Sequence, residues 1–147
     1  MSLPFFQPLP LVRRPKAFSH SDWLFEIKYD GFRALAYLDA SGVRLVSRNG
    51  NRFSSFVDLC AGIELCLKAN TAILDGEIAC LDEHGCSQFN NLLFRRGTPR
   101  FCAFDLLWLN GRDLRNLQLI KRKRDLRKLI SNDLPHLTWF DPVRRMV

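Results

Sequence analysis

Glu26-Ile27-Lys28-Tyr29-Asp30-Gly31-Phe32-Arg33-Ala34-Leu35-Ala36-Tyr37-Leu38 reads as an irregular stretch that runs into a strand, and Asp39-Ala40-Ser41-Gly42 then turns the chain back into Val43 to Ser47. Phe32, Ala34, Ala36 and Leu38 alternate with Arg33, Leu35 and Tyr37, the two-residue period with which a pleated strand sends side chains to opposite faces. With a polar, glycine-ended turn between the two runs, the segment is a β-hairpin. The fold is therefore expected to be built on antiparallel strands, with Lys28 just ahead of the first.

Outward from the hairpin, helical and extended patterns alternate. Ser54 and Ser55 precede Phe56, Leu59, Cys60, Ile63 and Leu67, which share one helical face, and Asp58 stands three residues after Ser55 as in a capping box. A helix of about four turns is expected there. Thr71 to Leu81 and Phe101 to Leu109 read as strands closed by Asp82-Glu83-His84-Gly85 and by Asn110-Gly111, with a short helix over Ser87 to Phe94 between them. Leu114 to Ile130 reads as a helix whose apolar face carries Leu117, Ile120, Leu126, Leu129 and Ile130, and His136 to Phe140 as a short strand. The expected class is α+β, antiparallel sheets with flanking helices. Upstream, Pro4, Pro8, Pro10 and Pro15 favour an extended arm over Met1 to Lys16, so the expected division is an arm over 1–22 and one domain over 23–147.

Composition sets the remaining bounds. A chain of 147 residues, 47% hydrophobic and 25% charged, can hold one real core; folding at this size hides roughly two-thirds of the chain's surface without a disulfide or metal staple. The five cysteines, Cys60, Cys66, Cys80, Cys86 and Cys102, are odd in number and contain no C-x-x-C pair. They read as reduced thiols, which points to the cytoplasm. Prolines interrupt the short apolar stretch at the N-terminus and charges follow it, so it does not read as a signal peptide. No apolar run approaches the roughly 20 residues that span a bilayer, and no membrane partner is expected. Lys and Arg number 22 against 15 Asp and Glu, a net charge of +7, which suits a polyanion bound through counterion release.

Lys28 is the residue with the most distinctive chemistry. A lysine attacks phosphorus only as the free amine, and a reference pKa of about 10.4 leaves roughly one neutral amine in a few thousand at neutral pH. Positive charge nearby, from Arg33 or from a cation on a nucleotide, raises that fraction. Alone, Lys28-Tyr29-Asp30-Gly31-Phe32-Arg33 more often reads as a turn with a surface ion pair between Lys28 and Asp30. Three more strings follow in order: Ser47-Arg48-Asn49-Gly50, Leu74-Asp75-Gly76-Glu77, and Phe104-Asp105-Leu106-Leu107 with Leu109 and Gly111 behind it.

This succession resembles the covalent nucleotidyltransferase superfamily of DNA ligases, RNA ligases and capping enzymes, and most closely the bacterial and archaeal ATP-dependent DNA ligases, from about Trp23 to Ile130. The resemblance implies part of an ATP-grasp-like adenylation domain that uses ATP, Mg²⁺ or Mn²⁺, and nicked duplex DNA. It implies that Lys28 attacks the α-phosphorus of ATP, expels pyrophosphate and holds AMP in a phosphoramide bond. Glu26 and the Ile27 backbone would then face the adenine, and Arg33 and Arg48 the ribose and phosphates. Glu77 would take the ribose or, through water, the metal, and Phe104 would stack on the purine. Asp75 reads as a brace for its strand. Lys121, Arg122, Lys123 and Arg124 are candidates for DNA contact, against the alternative of a basic solvated helix face. His20, His84 and His136 stand in no ligand spacing.

The family pattern continues with an E-G-[LIV]-[MV]-x-K motif, a further lysine motif and an OB-fold domain, none of which this sequence contains. The lysines of that second motif neutralise the α-phosphate in the transition state. The expectation is an incomplete ligase domain that binds ATP weakly and forms little lysyl-AMP alone: a truncated gene product, a fragment, or one half of a split protein whose second polypeptide supplies the absent motifs and OB-fold. The alternative is a catalytically silent remnant that binds DNA or a partner protein. An RNA ligase or capping-type enzyme suits the Ser-Arg-Asn-Gly and Phe-Asp-Leu-Leu forms less well, and a P-loop string is absent.

Overall fold

The computed structural model describes residues 2–130 and 135–139. The alternation around Tyr37 becomes a hairpin of β1 (Phe32–Asp39) and β2 (Gly42–Ser47), paired antiparallel from Asp39↔Gly42 to Ala34↔Ser47. Gly42, at φ 105°, supplies the left-handed backbone that closes the turn. Helix α1 (Val57–Cys66) follows, and β3 (Ala72–Ala79) returns beside β1. Short α2 (Phe89–Leu93) leads to β4 (Arg100–Leu109), and Asn110-Gly111, both at positive φ, turn the chain into β5 (Arg112–Asp113). Helix α3 (Leu119–Leu129) and β6 (Leu137–Trp139) complete the described order. The strands lie as β2-β1-β3-β4-β5 in one six-stranded sheet, with β6 also on β4.

The pleat divides the sheet into two faces with different work. Ala34, Ala36, Leu38, Leu45, Leu74, Ile78, Phe101 and Leu106 meet Leu59 and Ile63 of α1 and Leu126 and Leu129 of α3 in the main core. Full burial of each large apolar side chain there is worth about 1.5–3 kcal/mol. The other face is apolar at one end, where Leu35, Tyr37, Val46, Ile73 and Leu107 receive Phe6 from the N-terminal segment. The Phe6 N–H donates to Tyr37 Oη at 2.9 Å, and the Arg115 guanidinium lies 3.9 Å from the Phe6 ring centroid.

Four details depart from the sequence expectations. The sheet is single and mixed, because β6 runs parallel to β4 (Phe101↔Leu137) after the crossover through α3. Helix α1 has ten residues, and its N-cap is Phe56 with no side-chain cap bond, so the Ser55/Asp58 capping box does not form. The Phe56 ring instead packs edge-on against Phe53 at 5.6 Å, and this aromatic contact seats the helix entry. Helix α3 begins only at Leu119, because Arg112 and Asp113 pair with Leu109 and Trp108 as β5. Finally, β4 is bulged against β3 at two places: Ile73 faces Trp108 but Leu74 faces Leu106, and Asp75 faces Asp105 but Gly76 faces Ala103, which leaves Leu107 and Phe104 as extra residues. Phe140 and the tail after it lie outside the described residues.

Candidate active site

Residues 26–31 have no regular structure, yet side-chain and backbone contacts tether them closely. Tyr29 is buried against Ala79 and Cys102, on the sheet face away from α1. The Asp30 N–H donates to Ser87 Oγ at 3.0 Å, and the Gly31 N–H donates to the Glu77 carboxylate. Gly31 also passes so close to β3 that a Cβ there would sit 2.0 Å from the Ile78 carbonyl oxygen, so only glycine fits. At the upstream end the Glu26 carboxylate pairs with Lys123 of α3. Between these anchors Lys28 is exposed, and Lys28–Asp30 is not among the ion pairs of the described residues.

Sheet register brings the other nominated residues to the same place. Arg33 is opposite Glu77 across β1 and β3, and exposed Arg48 lies in the turn after Ser47, where β2 ends opposite Ala34. Arg33 reaches diagonally to Asp75, with Nε to Oδ1 at 2.6 Å and Nη2 to Oδ2 at 2.7 Å, leaving Nη1 unused by that fork. Its guanidinium also lies 4.8 Å from the Phe104 ring centroid. The bulge at Phe104 puts this ring on the charged face instead of in the core. Glu26, Lys28, Arg33, Glu77 and Phe104 thus belong to one constellation, with exposed Ile27 between Glu26 and Lys28, while Arg48 is exposed in the turn after β2.

Charge in this cluster is ordered by burial. Burial pushes the Glu77 carboxyl above its ordinary range, and the positive charges of Arg33 and Lys28 work against it. Burial also pushes Tyr29 and Cys102 up to about 12, so both stay neutral beside the site. Because the folded chain holds the Glu77 proton more tightly than the unfolded chain, ionised Glu77 costs stability once pH rises through its folded pKa. Glu77→Gln is therefore expected to melt higher than the parent at pH 7, with the difference vanishing below the ordinary carboxyl value of 4.5. Melting curves between pH 4 and pH 8 check this, and a variant that melts lower at pH 7 would reverse the assignment.

Asp75, read from sequence as a strand brace, and Lys123, read as a DNA contact or solvated cation, both have buried partners that sequence reasoning did not find. Asp75 is the buried counter-ion of Arg33, and a carboxylate amid Ile73, Leu74 and Ile78 signals a buried partner. The basic run of α3 does not form one DNA-facing surface. Arg122 is turned inward, forking onto Asp105 at 2.8 and 2.9 Å and onto the Leu117 carbonyl, and Lys123 is only 2% exposed. Lys121 and Arg124 remain at the surface with Arg127 and Lys128. A cleft of about 610 Å³ lies elsewhere, between the start of α1, α2 and the 95–99 loop, and none of the nominated residues lines it. Among the described residues no helix is long and apolar enough to cross a membrane, and no cluster of three metal-binding side chains occurs.

Residues 12–141 match the ATP dependent DNA ligase domain. The chain belongs to the ATP-dependent DNA ligase family. Among its curated relatives, the bifunctional non-homologous end joining protein LigD of Bacillus subtilis is 36% identical over 135 residues, 76% of this chain and 21% of the relative. The multifunctional non-homologous end joining DNA repair protein LigD of Mycobacterium tuberculosis is 38% identical over 113 residues, 76% of this chain and 14% of the relative. This ligase-family chain therefore spans about a fifth or less of those relatives. The crystal structure of the ligase domain of M. tuberculosis LigD superposes with a TM-score of 0.67 at 32% identity, covering 82% of this chain and 40% of that one. A mycobacterial DNA ligase D complexed with ATP and MES gives a TM-score of 0.64 at 30% identity over the same shares. The α+β nucleotidyltransferase fold implied by the motifs is thereby established.

Proposed function

We propose that this chain is the adenylating part of a DNA ligase, in which Lys28 takes AMP from ATP for transfer to the 5′-phosphate of a DNA nick. The observation that carries the reading is the placement of an exposed lysine, tethered on both sides, beside Arg33, Glu77 and Phe104 on one sheet face. Nucleophilic attack forms the Lys28 Nζ–phosphorus bond, breaks the bond to the bridging oxygen, and releases pyrophosphate with that electron pair; the amine proton passes to solvent. Arg33 Nη1 and Arg48 supply donors for phosphate and ribose oxygens, and Phe104 a flat partner for the purine. The ligase related at 30% identity was solved with ATP, which supports the choice of nucleotide.

A divalent cation, Mg²⁺ or Mn²⁺, fits the donor set. Asp75 is taken by Arg33, so Glu77, with exposed Asp30 near it, would hold such a cation. Such an ion neutralises charge on the phosphates. DNA is the proposed polyanion, with Lys121, Arg124, Arg127 and Lys128 as the basic surface of α3. Cys60, Cys80, Cys86 and Cys102 are free thiols, in keeping with a cytoplasmic setting.

The test is labelling by α-labelled ATP and Mg²⁺, run with the chain alone and with the chain joined to the downstream lysine motif and OB-fold of a ligase relative. Acid-labile label mapped to Lys28 is expected, more strongly in the second arm, since each preorganised charge that meets the phosphate is worth roughly a hundredfold to a thousandfold. Label at Lys28 in neither arm would overturn the reading.

A further inference from the structure

Lys123 is a buried charge that the adenylation chemistry leaves unexplained. It shares a helical face with Leu119, Leu126 and Ile130, and its amine donates to Glu26 Oε1 and, at 2.5 Å, to the Phe104 carbonyl. Removing an ammonium from water is costly, and Lys121 and Arg124 on the same helix stay in solvent. Its two acceptors also have something in common. Glu26 lies two residues before Lys28, and Phe104 is at a bulge of β4, so both belong to the base-facing end of the site proposed above.

The backbone explains why an amine is held there. Along its outer edge, β4 pairs with β6 through Phe101 to Ala103 and with β5 through Trp108 and Leu109. The Phe104 carbonyl falls in the gap between those partners, where the ammonium satisfies it. The same ammonium holds Oε1 of Glu26 and leaves Oε2 for another donor, while the Glu26 side chain keeps 34% of its surface exposed. One buried group thus fixes a carboxylate edge relative to an aromatic ring.

We propose that Lys123 is a positioning residue for base selection: by fixing Glu26 and the backbone of Phe104, it makes the site favour a purine with a 6-amino group over one with a 6-oxo group. The inference rests on the nucleotide reading above. A fixed carboxylate accepts from the amino group and repels a carbonyl oxygen, and discrimination is large only where the acceptor cannot turn away. Without Lys123, the partly exposed Glu26 rehydrates and loses its orientation.

The experiment is calorimetric binding of ATP and of inosine triphosphate, with Mg²⁺, to the full chain and to Lys123→Met, Lys123→Arg and Glu26→Gln. The full chain should prefer ATP by about tenfold or more, the scale of one charge-assisted hydrogen bond. Lys123→Met should bring the ratio close to one by weakening ATP alone, Lys123→Arg should keep part of it, and adding Lys123→Met to Glu26→Gln should change nothing further. A merely structural lysine would lower the melting temperature and leave the ratio intact, which would overturn the proposal. Should Lys123→Met fail to fold, Glu26→Gln decides, because an unchanged ratio there removes the base contact itself. Equal affinities in the unmodified chain, with Lys28 still labelled, would sink only this inference; no binding of either nucleotide would sink the nucleotide reading with it.

Discussion

Lys28→Ala is expected to leave no lysyl-AMP on the protein under conditions that label the unmodified chain, and Lys28→Arg is expected to do the same. An arginine keeps the positive charge but does not deprotonate in proteins, so it offers the phosphate a donor and no nucleophile. The remaining lysines do not substitute. Lys123 is sealed against Glu26, Lys16 belongs to the N-terminal segment, Lys68 follows α1, and Lys121 and Lys128 lie on α3. Because Lys28 is exposed, its removal should change stability by no more than about 0.5 kcal/mol, and an unaltered melting curve would separate lost chemistry from lost fold. Label that persists in Lys28→Ala and maps to a different lysine would transfer the role of nucleophile.

The parts of the fold legible in the sequence were those governed by local periodicity. Alternation around Tyr37 is enough for β1 and β2, because a shift of one residue would turn Ala34, Ala36 and Leu38 away from the helices that cover them. The apolar runs at β3 and β4 were legible for the same reason, and their motifs located Arg33, Glu77 and Phe104 near one another before any register was known. What periodicity does not encode is the match between strands. The bulge that exposes Phe104 arises from how β4 lies against β3, and neither strand's own pattern announces it. Lys123 was misread differently: four consecutive basic residues suggest a solvated stripe, but its spacing from Leu119, Leu126 and Ile130 puts it on the buried side of α3. A cation at an apolar position calls for a buried acceptor, and that acceptor came from Glu26, 97 residues away. The absent cap at α1 has the same origin, since contacts among Phe32, Phe53 and Phe56 outweigh a serine hydroxyl bond worth typically about 1 kcal/mol.

Asp75→Ala should be the most destabilising single change on the functional face, by about 3 kcal/mol, the lower end of the range for breaking a buried ion pair. Asp75 is 5% exposed, and the Arg33 side chain it holds is 16% exposed, so the substitution strands a guanidinium that water reaches poorly. Two neighbours keep the loss from being larger. Glu77 stands opposite Arg33 and offers a replacement carboxylate, and Asp105, whose charge raises the Asp75 pKa, no longer has a like charge beside it. In a domain of this size such a loss lowers Tm by about 10 °C. The double change Arg33→Met with Asp75→Leu should recover most of that stability, because a buried pair replaced by apolar groups leaves no charge without a partner. It should not recover labelling of Lys28, since the guanidinium that lies over Phe104, the proposed donor to the phosphates, is then gone. Urea denaturation of the single and double variants, run beside the labelling assay, gives both readouts. Recovery of stability and labelling together would show that Arg33 serves the fold alone, whereas recovery of stability without labelling assigns the pair to the site.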